Sequence, residues 1–184
     1  PVVHAIRGRG EVPTYQTTSA SAEKWVALEV HDDFDLAIDG LREKGMQVLA
    51  AHLSDDALDY REPDYTRPTC IVFGNERDGV SPRAAAVADE HIIIPMLGMV
   101  PSLNVSVATA VILFEAQRQR SVAGLYATPR LEAAERRELA VRWLYPREAA
   151  MLDERGLPMP ALAEDGELPA EVVSLLSRSH VTDP

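Results

Sequence analysis

Apolar positions in the first two-thirds of the chain gather into short runs, each closed by a glycine or proline and separated by polar, helix-forming stretches. Thr69 to Phe73 is one such run, closed by Gly74, and His91 to Ile94 is another, closed by Pro95. Both are rich in β-branched residues and of strand length, the pattern of buried strands. Upstream, Trp25 to Val30 predicts a strand, Asp32 or Asp33 caps a helix reaching Lys44, and Gly45 ends it before a strand at Met46 to Leu49. From Asn104 to Arg120 no glycine or proline interrupts the chain, and Asn104 or Ser102 is available as N-cap, so a helix about 25 Å long is predicted. Val105, Val107, Ala108, Ala110, Val111, Ile112, Leu113, Phe114 and Ala116 cover nearly its whole circumference, which predicts burial on most sides, within the fold or against a second subunit. Its uncharged part stops at Phe114, short of a membrane span. Further on, Leu131 to Leu144 reads as an amphipathic helix. Pro158, Pro160 and the acidic stretch Glu164 to Glu167 read as a surface linker before a short helix at Ala170 to Ser177, and a disordered tail is expected from Ser179. Alternating strands and helices predict an α/β domain carrying a C-terminal helical extension.

In open α/β sheets, ligands sit outside the carboxyl ends of the strands, so the segments Gly74 to Gly79 and Pro95 to Asn104 are the candidate walls of one pocket. Asn75, Glu76, Arg77 and Asp78 make the first polar, whereas Met96, Leu97, Met99, Val100 and Leu103 make the second apolar. A flat apolar ligand bearing polar groups suits both. Neither segment has the glycine spacing of a dinucleotide or nucleoside triphosphate loop, so phosphate cradling is not expected.

Charge complicates a nucleic-acid reading. Eighteen basic against 29 acidic residues give −11, spread as −7 over residues 1–120 and −4 over 121–184, whereas phosphate neutralisation supplies most nonspecific nucleic-acid affinity. Arg7 and Arg9 form either a local basic patch or two solvated loop charges. Cys70 is the only cysteine, so no disulfide forms within the chain and a buried, unreactive thiol is expected. His4, His31, His52, His91 and His180 are scattered without metal-motif spacing, so no metal is expected. With no signal peptide or membrane span, the cytoplasm is the expected location.

The segments IVFGNERDGVS and IIIPMLGMVPSLNVSVATAVILFEAQRQR resemble the second and third motifs of the SpoU/TrmH branch of the SPOUT RNA methyltransferases. The resemblance extends back through Ala50 to Pro68 and forward to Arg155 to Pro160, and is greatest to the members that methylate the ribose of a D-loop guanosine in tRNA. It implies a SPOUT α/β fold with a deep trefoil knot at the carboxyl edge of a mostly parallel sheet, covering residues 1–122, with 123–184 as the extension. It implies S-adenosylmethionine as cofactor, held at Ala51, Gly74, Ile94, Met96 and Leu103. Glu76, Ser102 and Asn104 match catalytic positions, and Arg118 and Arg120 match RNA-contacting ones. Read as bare residues, Glu76 is equally a solvated loop acid, Ser102 or Asn104 a helix cap, and the arginines cations at a helix C-terminus. Two residues apart on a helix, the arginines point to opposite sides. A homodimer through the third-motif helix is expected, with tRNA as partner.

The family's first motif, an Asn and an Arg on an opening strand and helix, has no match in these 184 residues. Pro1 to Gly8 resembles the family's second strand. The motif's arginine acts in the family on the proton of the attacking 2′-hydroxyl, and such assistance is worth about 10²–10⁴-fold. The chain is therefore expected to keep much of the cofactor pocket and to be weakly active or inactive alone. A noncatalytic member that binds cofactor or RNA is the alternative, and a small-molecule nucleotide-binding α/β domain a third reading.

Overall fold

A computed structural model describes residues 2–6, 26–75, 78–98 and 103–177. The elements are β1 Val2–Ile6, β2 Ala27–His31, α1 Phe34–Glu43, β3 Gln47–Ala51, β4 Leu58–Asp59, β5 Thr69–Val72, α2 Pro82–Val87 and β6 Glu90–Ile93. They are followed by α3 Val105–Val122, α4 Ala133–Leu144, α5 Pro146–Glu154 and α6 Ala170–Ser177. β1 and β2 form a two-stranded sheet, and the other four strands form an all-parallel sheet in the order β4-β6-β3-β5. The chain falls into two compact units, one drawn from His4–Pro13 and Glu29–Thr128, the other from Pro1–Val3, Thr14–Leu28 and Pro129–Pro184.

Local chemistry sets the boundaries around the sheet. The Asp33 carboxylate accepts the amides of Asp35 at 2.8 Å and Leu36 at 3.2 Å, capping α1. Gly45 leaves the helix at φ +74°, a conformation that favours glycine. β3 starts at Gln47 and ends at Ala51, so the expected strand at Met46 to Leu49 is shifted towards the C-terminus. Gln47 fixes the start, because its amide nitrogen donates to the Asp64 carbonyl and the Thr69 hydroxyl, both at 2.8 Å, in register with its partner Thr69 on β5.

β3 is the centre of the core. Val48, Leu49 and Ala50 are buried, and their side chains alternate between the sheet faces. Leu49 packs with Tyr65, Ile92, Ile112 and Ala116, which places α3 on one face. Ala50 packs with Val80 and Ala84, and α1 and α2 cover that other face. Asp89 extends the β3–β6 ladder by one step: its amide donates to the Val48 carbonyl at 2.8 Å and its carboxylate accepts the Val48 amide at 2.7 Å.

Several expectations shift. The strand expected at Trp25 to Val30 is Ala27–His31, with Trp25 outside the described residues. The two-residue β4 and the six-residue α2 are too short for periodicity to show; α2 is set by Pro82 in its first turn and by the Ser81 hydroxyl accepting the Ala84 amide. α3 is not buried on most sides in the single chain. Only Ile112 and Ala116 are buried, while Phe114 is 71% exposed and Val107, Leu113 and Val122 are also exposed.

In the second unit, α4, α5 and α6 follow one another. Val141, Ala149 and Leu168 form its core, with Tyr145, Met159 and Leu162 packed around them. Arg142 bridges Glu138 on α4, at 2.8 Å, to Asp153 on α5, at 2.6 Å. Arg155 donates to the carbonyls of Leu175 and Leu176, two of the unpaired acceptors at the end of α6. The helix expected at Ala170 to Ser177 has those bounds, and the tail expected to be disordered lies outside the described residues.

Candidate active site

The parallel sheet gathers its strand ends at one edge. Ala50 pairs with Val72 and Ala51 with Ile92, so β3, β5 and β6 end at nearly the same level. Ala51 is the last residue of β3, Gly74 lies just past β5, and Ile94 follows β6; three expected cofactor positions thus leave one edge from neighbouring strands. β5 and β6 lie on either side of β3, so the loops that follow them start on either side of its end.

The loop after β5 folds tightly on itself. The Gly79 amide donates to the Asn75 carbonyl at 3.0 Å, and the Asp78 amide donates to the Asn75 side chain at 2.7 Å. Gly79 has φ +70°, which favours glycine. A Cβ on Gly74 would overlap the Gly79 carbonyl and the Val80 amide nitrogen, so glycine is required by close backbone approach. Val80, just past this turn, is buried against Ala50 and Ala84. Glu76 lies outside the described residues.

The loop after β6 exposes apolar surface. Leu97 is fully exposed and Met96 is 38% exposed, while Ile94 is partly buried against the Leu49 cluster. Leu103 is half-buried, and Ser102 lies outside the described residues. Asn104 is the N-cap of α3: its side-chain oxygen accepts the Ser106 amide at 2.8 Å and meets the Ser106 hydroxyl at 2.5 Å. Its capping role is therefore filled by contacts within the chain.

The two arginines expected to contact RNA separate as helical spacing predicts. Arg118 is largely exposed and makes a two-point bond to Glu115, at 2.8 Å through both Nε and Nη2. This bond, with a further one from Gln119, pulls the Glu115 carboxyl down to about 2. Arg120 turns the other way and donates to the backbone carbonyls of Tyr65, at 2.7 Å, and Arg67, at 3.3 Å. Arg7 and Arg9 lie outside the described residues.

Two groups escaped the sequence reading. Gln119 accepts the amide of the fully buried Tyr65 at 2.9 Å and donates to the carbonyls of Arg61 and Pro63, so it binds the segment between β4 and β5 to α3. A polar residue one turn from a helix end gives no signal of such long-range bonding. His91 donates through Nε2 to the Ala85 carbonyl at 3.1 Å, while its Nδ1 lies 2.9 Å from the Ser54 hydroxyl and 3.3 Å from His52 Nδ1. This pins the segment after Ala51 to β6 and α2, and the position of His52 just past a strand was its only cue. A shallow groove of ≈ 610 Å³ lies on the exposed side of α3, lined by Val107, Ala110, Val111 and Phe114 together with Tyr60, the residue just past β4. Cys70 is half-buried, and burial raises its thiol pKa, as expected of an unreactive cysteine.

A parallel sheet with helices on both faces, glycine-bearing loops at one carboxyl edge and an Asn-capped helix following β6 define an α/β domain with a candidate ligand site at its strand ends. The SpoU rRNA Methylase family matches residues 3–114, and the SpoU rRNA methylase C-terminal family matches residues 118–171. The chain is 46% identical over 171 residues to the tRNA (guanosine(18)-2′-O)-methyltransferase of Escherichia coli K12, covering 92% of this chain and 75% of that protein. It is 55% identical over 141 residues to the enzyme of the same name from Thermus thermophilus, covering 77% of this chain and 73% of the other. The crystal structure of the A. aeolicus TrmH/SpoU tRNA modifying enzyme superposes with a TM-score of 0.73 at 39% identity, over 79% of this chain and 74% of that one. The chain belongs to the SpoU/TrmH family of methyltransferases.

Proposed function

We propose that this chain transfers a methyl group from S-adenosylmethionine to the ribose 2′-hydroxyl of guanosine 18 in the tRNA D-loop. The observation that carries the reading is its 46% identity, over 92% of its length, to an enzyme named for that reaction. The strand-edge geometry supports it. Exposed apolar side chains at Met96 and Leu97 beside half-buried Leu103 suit the faces of an adenine ring, and backbone groups at Ala51, Gly74 and Ile94 suit its polar edge and the ribose. The donor, when bound, supplies an electrophilic sulfonium methyl. The residues at this edge would hold that methyl in line with the acceptor 2′-oxygen, so that transfer leaves S-adenosylhomocysteine and the methylated ribose. Asn104, fixed by its cap to α3, and the motif residues Glu76 and Ser102 orient the acceptor, and Arg118 is the arginine whose exposure suits a phosphate.

The fold carries two further proposals. β6 inserts between β3 and β4, both earlier in the chain, and α3 after it is tied by Gln119 and Arg120 to the segment joining β4 to β5. That arrangement supports a trefoil knot threaded by the third-motif segment. The exposed apolar groove on α3 supports a homodimer, and Phe114→Glu is expected to yield a monomer in sedimentation velocity with unchanged helicity. Among the described residues no helix is long and apolar enough to cross a membrane; tRNA modification in the cytoplasm accords with this.

Transfer of labelled methyl to unmodified tRNA by the purified chain, in excess over tRNA, tests the activity. Label on guanosine 18 that Asn104→Ala reduces supports the reading. In the alternative reading, cofactor and tRNA bind without turnover. It predicts stabilisation by S-adenosylhomocysteine, about 2.7 kcal/mol at 100 times its dissociation constant, without label.

A further inference from the structure

The histidines scattered along the sequence do not all stay apart. His4 on β1 and His31 on β2 lie 27 residues apart in the chain, yet His4 Nδ1 is 3.0 Å from His31 Nε2. Their rings are nearly parallel, 5.2 Å between centroids at 27°. Glu29 sits two residues before His31, so both point to one face of β2. Its Oε2 is 3.4 Å from His4 Nδ1 and 3.9 Å from His31 Nε2. The three side chains converge as one group of candidate ligands.

A point equidistant from three atoms separated by 3.0, 3.4 and 3.9 Å lies about 2.0 Å from each, the length of a zinc–nitrogen or zinc–carboxylate bond. The group is partly exposed, so water can complete a fourth position. From this geometry we propose that His4, Glu29 and His31 form a zinc-class site joining β1 to β2. Two imidazoles and one carboxylate are borderline donors that suit Zn²⁺ and its neighbours Co²⁺ and Ni²⁺ rather than Ca²⁺ or Mg²⁺. The site also answers a structural need. A two-stranded sheet is marginally stable in water, and among the described residues β1 and β2 form a sheet of two strands. A shared ion ties the strands through their side chains where the ladder alone is weak.

The test is equilibrium zinc binding by the untagged, chelator-treated chain, with Co²⁺ as an absorbing substitute. One Zn²⁺ per chain is expected, together with the visible band of low-coordinate Co²⁺. His31→Gln and Glu29→Gln are each expected to lose stoichiometric binding with circular dichroism unchanged. Glu29 is half-exposed, so its substitution does not threaten folding. His52→Gln, which alters the histidine pair near β6, is expected to bind as the parent does. Absence of saturable zinc, equal binding by the His31 and Glu29 variants, or loss in the His52 variant alone would overturn the assignment; the rings then share only a hydrogen bond.

Discussion

Gly74→Ala probes the link between the turn after β5 and the cofactor edge. The added methyl overlaps backbone atoms of Gly79 and Val80, which cannot swing aside as a flexible side chain can. Opening the turn breaks the Gly79–Asn75 and Asp78–Asn75 hydrogen bonds, together about 1–3 kcal/mol. It also draws Val80 from its place against Ala50 and Ala84, adding roughly another 1 kcal/mol for partial loss of buried side-chain area. The expected destabilisation is about 2–4 kcal/mol, which in a domain of this size lowers Tm by roughly 4–16 °C. S-adenosylhomocysteine affinity is expected to fall with it, because the turn leaves the sheet beside Ala51 at the carboxyl edge. Gly98→Ala is the control for stability: a Cβ there meets nothing within 4 Å, so a change within about 0.5 kcal/mol is expected. The assays are thermal unfolding and calorimetric titration with S-adenosylhomocysteine. A Gly74→Ala protein with parental Tm and parental affinity would refute both the close-approach argument and the placement of the cofactor at this turn.

Four further outcomes follow from the hydrogen-bond network. Gln119→Leu leaves the buried Tyr65 amide without its acceptor and is expected to cost about 1–3 kcal/mol in urea unfolding. Gln119→Glu keeps that acceptor but turns a donor into an oxygen facing the carbonyls of Arg61 and Pro63 and the Glu115 carboxylate. Its folded-state pKa is therefore raised, and its deficit at pH 7 is expected to shrink as pH falls and the new carboxyl protonates. Glu115 has the opposite sign. Its depressed pKa of about 2 gives stability that is fully present above the ordinary carboxylate range and is lost as pH falls from there through about 2, so the gap between the parent and Glu115→Gln in urea midpoint is expected to close across that window. Asp89→Ala removes the acceptor of the buried Val48 amide at the β3–β6 seam and is expected to cost about 1–3 kcal/mol, with the adjoining amides exchanging faster.

What was legible in the sequence is what local chemistry decides. Gly45 ending α1, Asn104 opening α3 and the short β-branched runs of β5 and β6 each carry their signal within a few residues. What was not legible depends on chain segments meeting. Nothing local places β6 between β3 and β4, and the apolar circumference of α3 could not distinguish burial in the chain from burial against a second subunit. For Arg118 and Arg120, helical phase predicted opposite faces, but the carbonyls that occupy Arg120 lie on a segment more than fifty residues earlier. The same limit hid the convergence of His4 with His31, because two histidines 27 residues apart match no metal-motif spacing until two strands pair.

Methylation of one ribose hydroxyl is decided by single-turnover transfer from labelled S-adenosylmethionine to two tRNAs. One is unmodified, and the other is identical except for 2′-deoxyguanosine at position 18. Label is expected on the ribose of guanosine 18 in the first tRNA and none in the second. Label on a base, equal label on both tRNAs, or cofactor and tRNA binding with no transfer at all would contradict it.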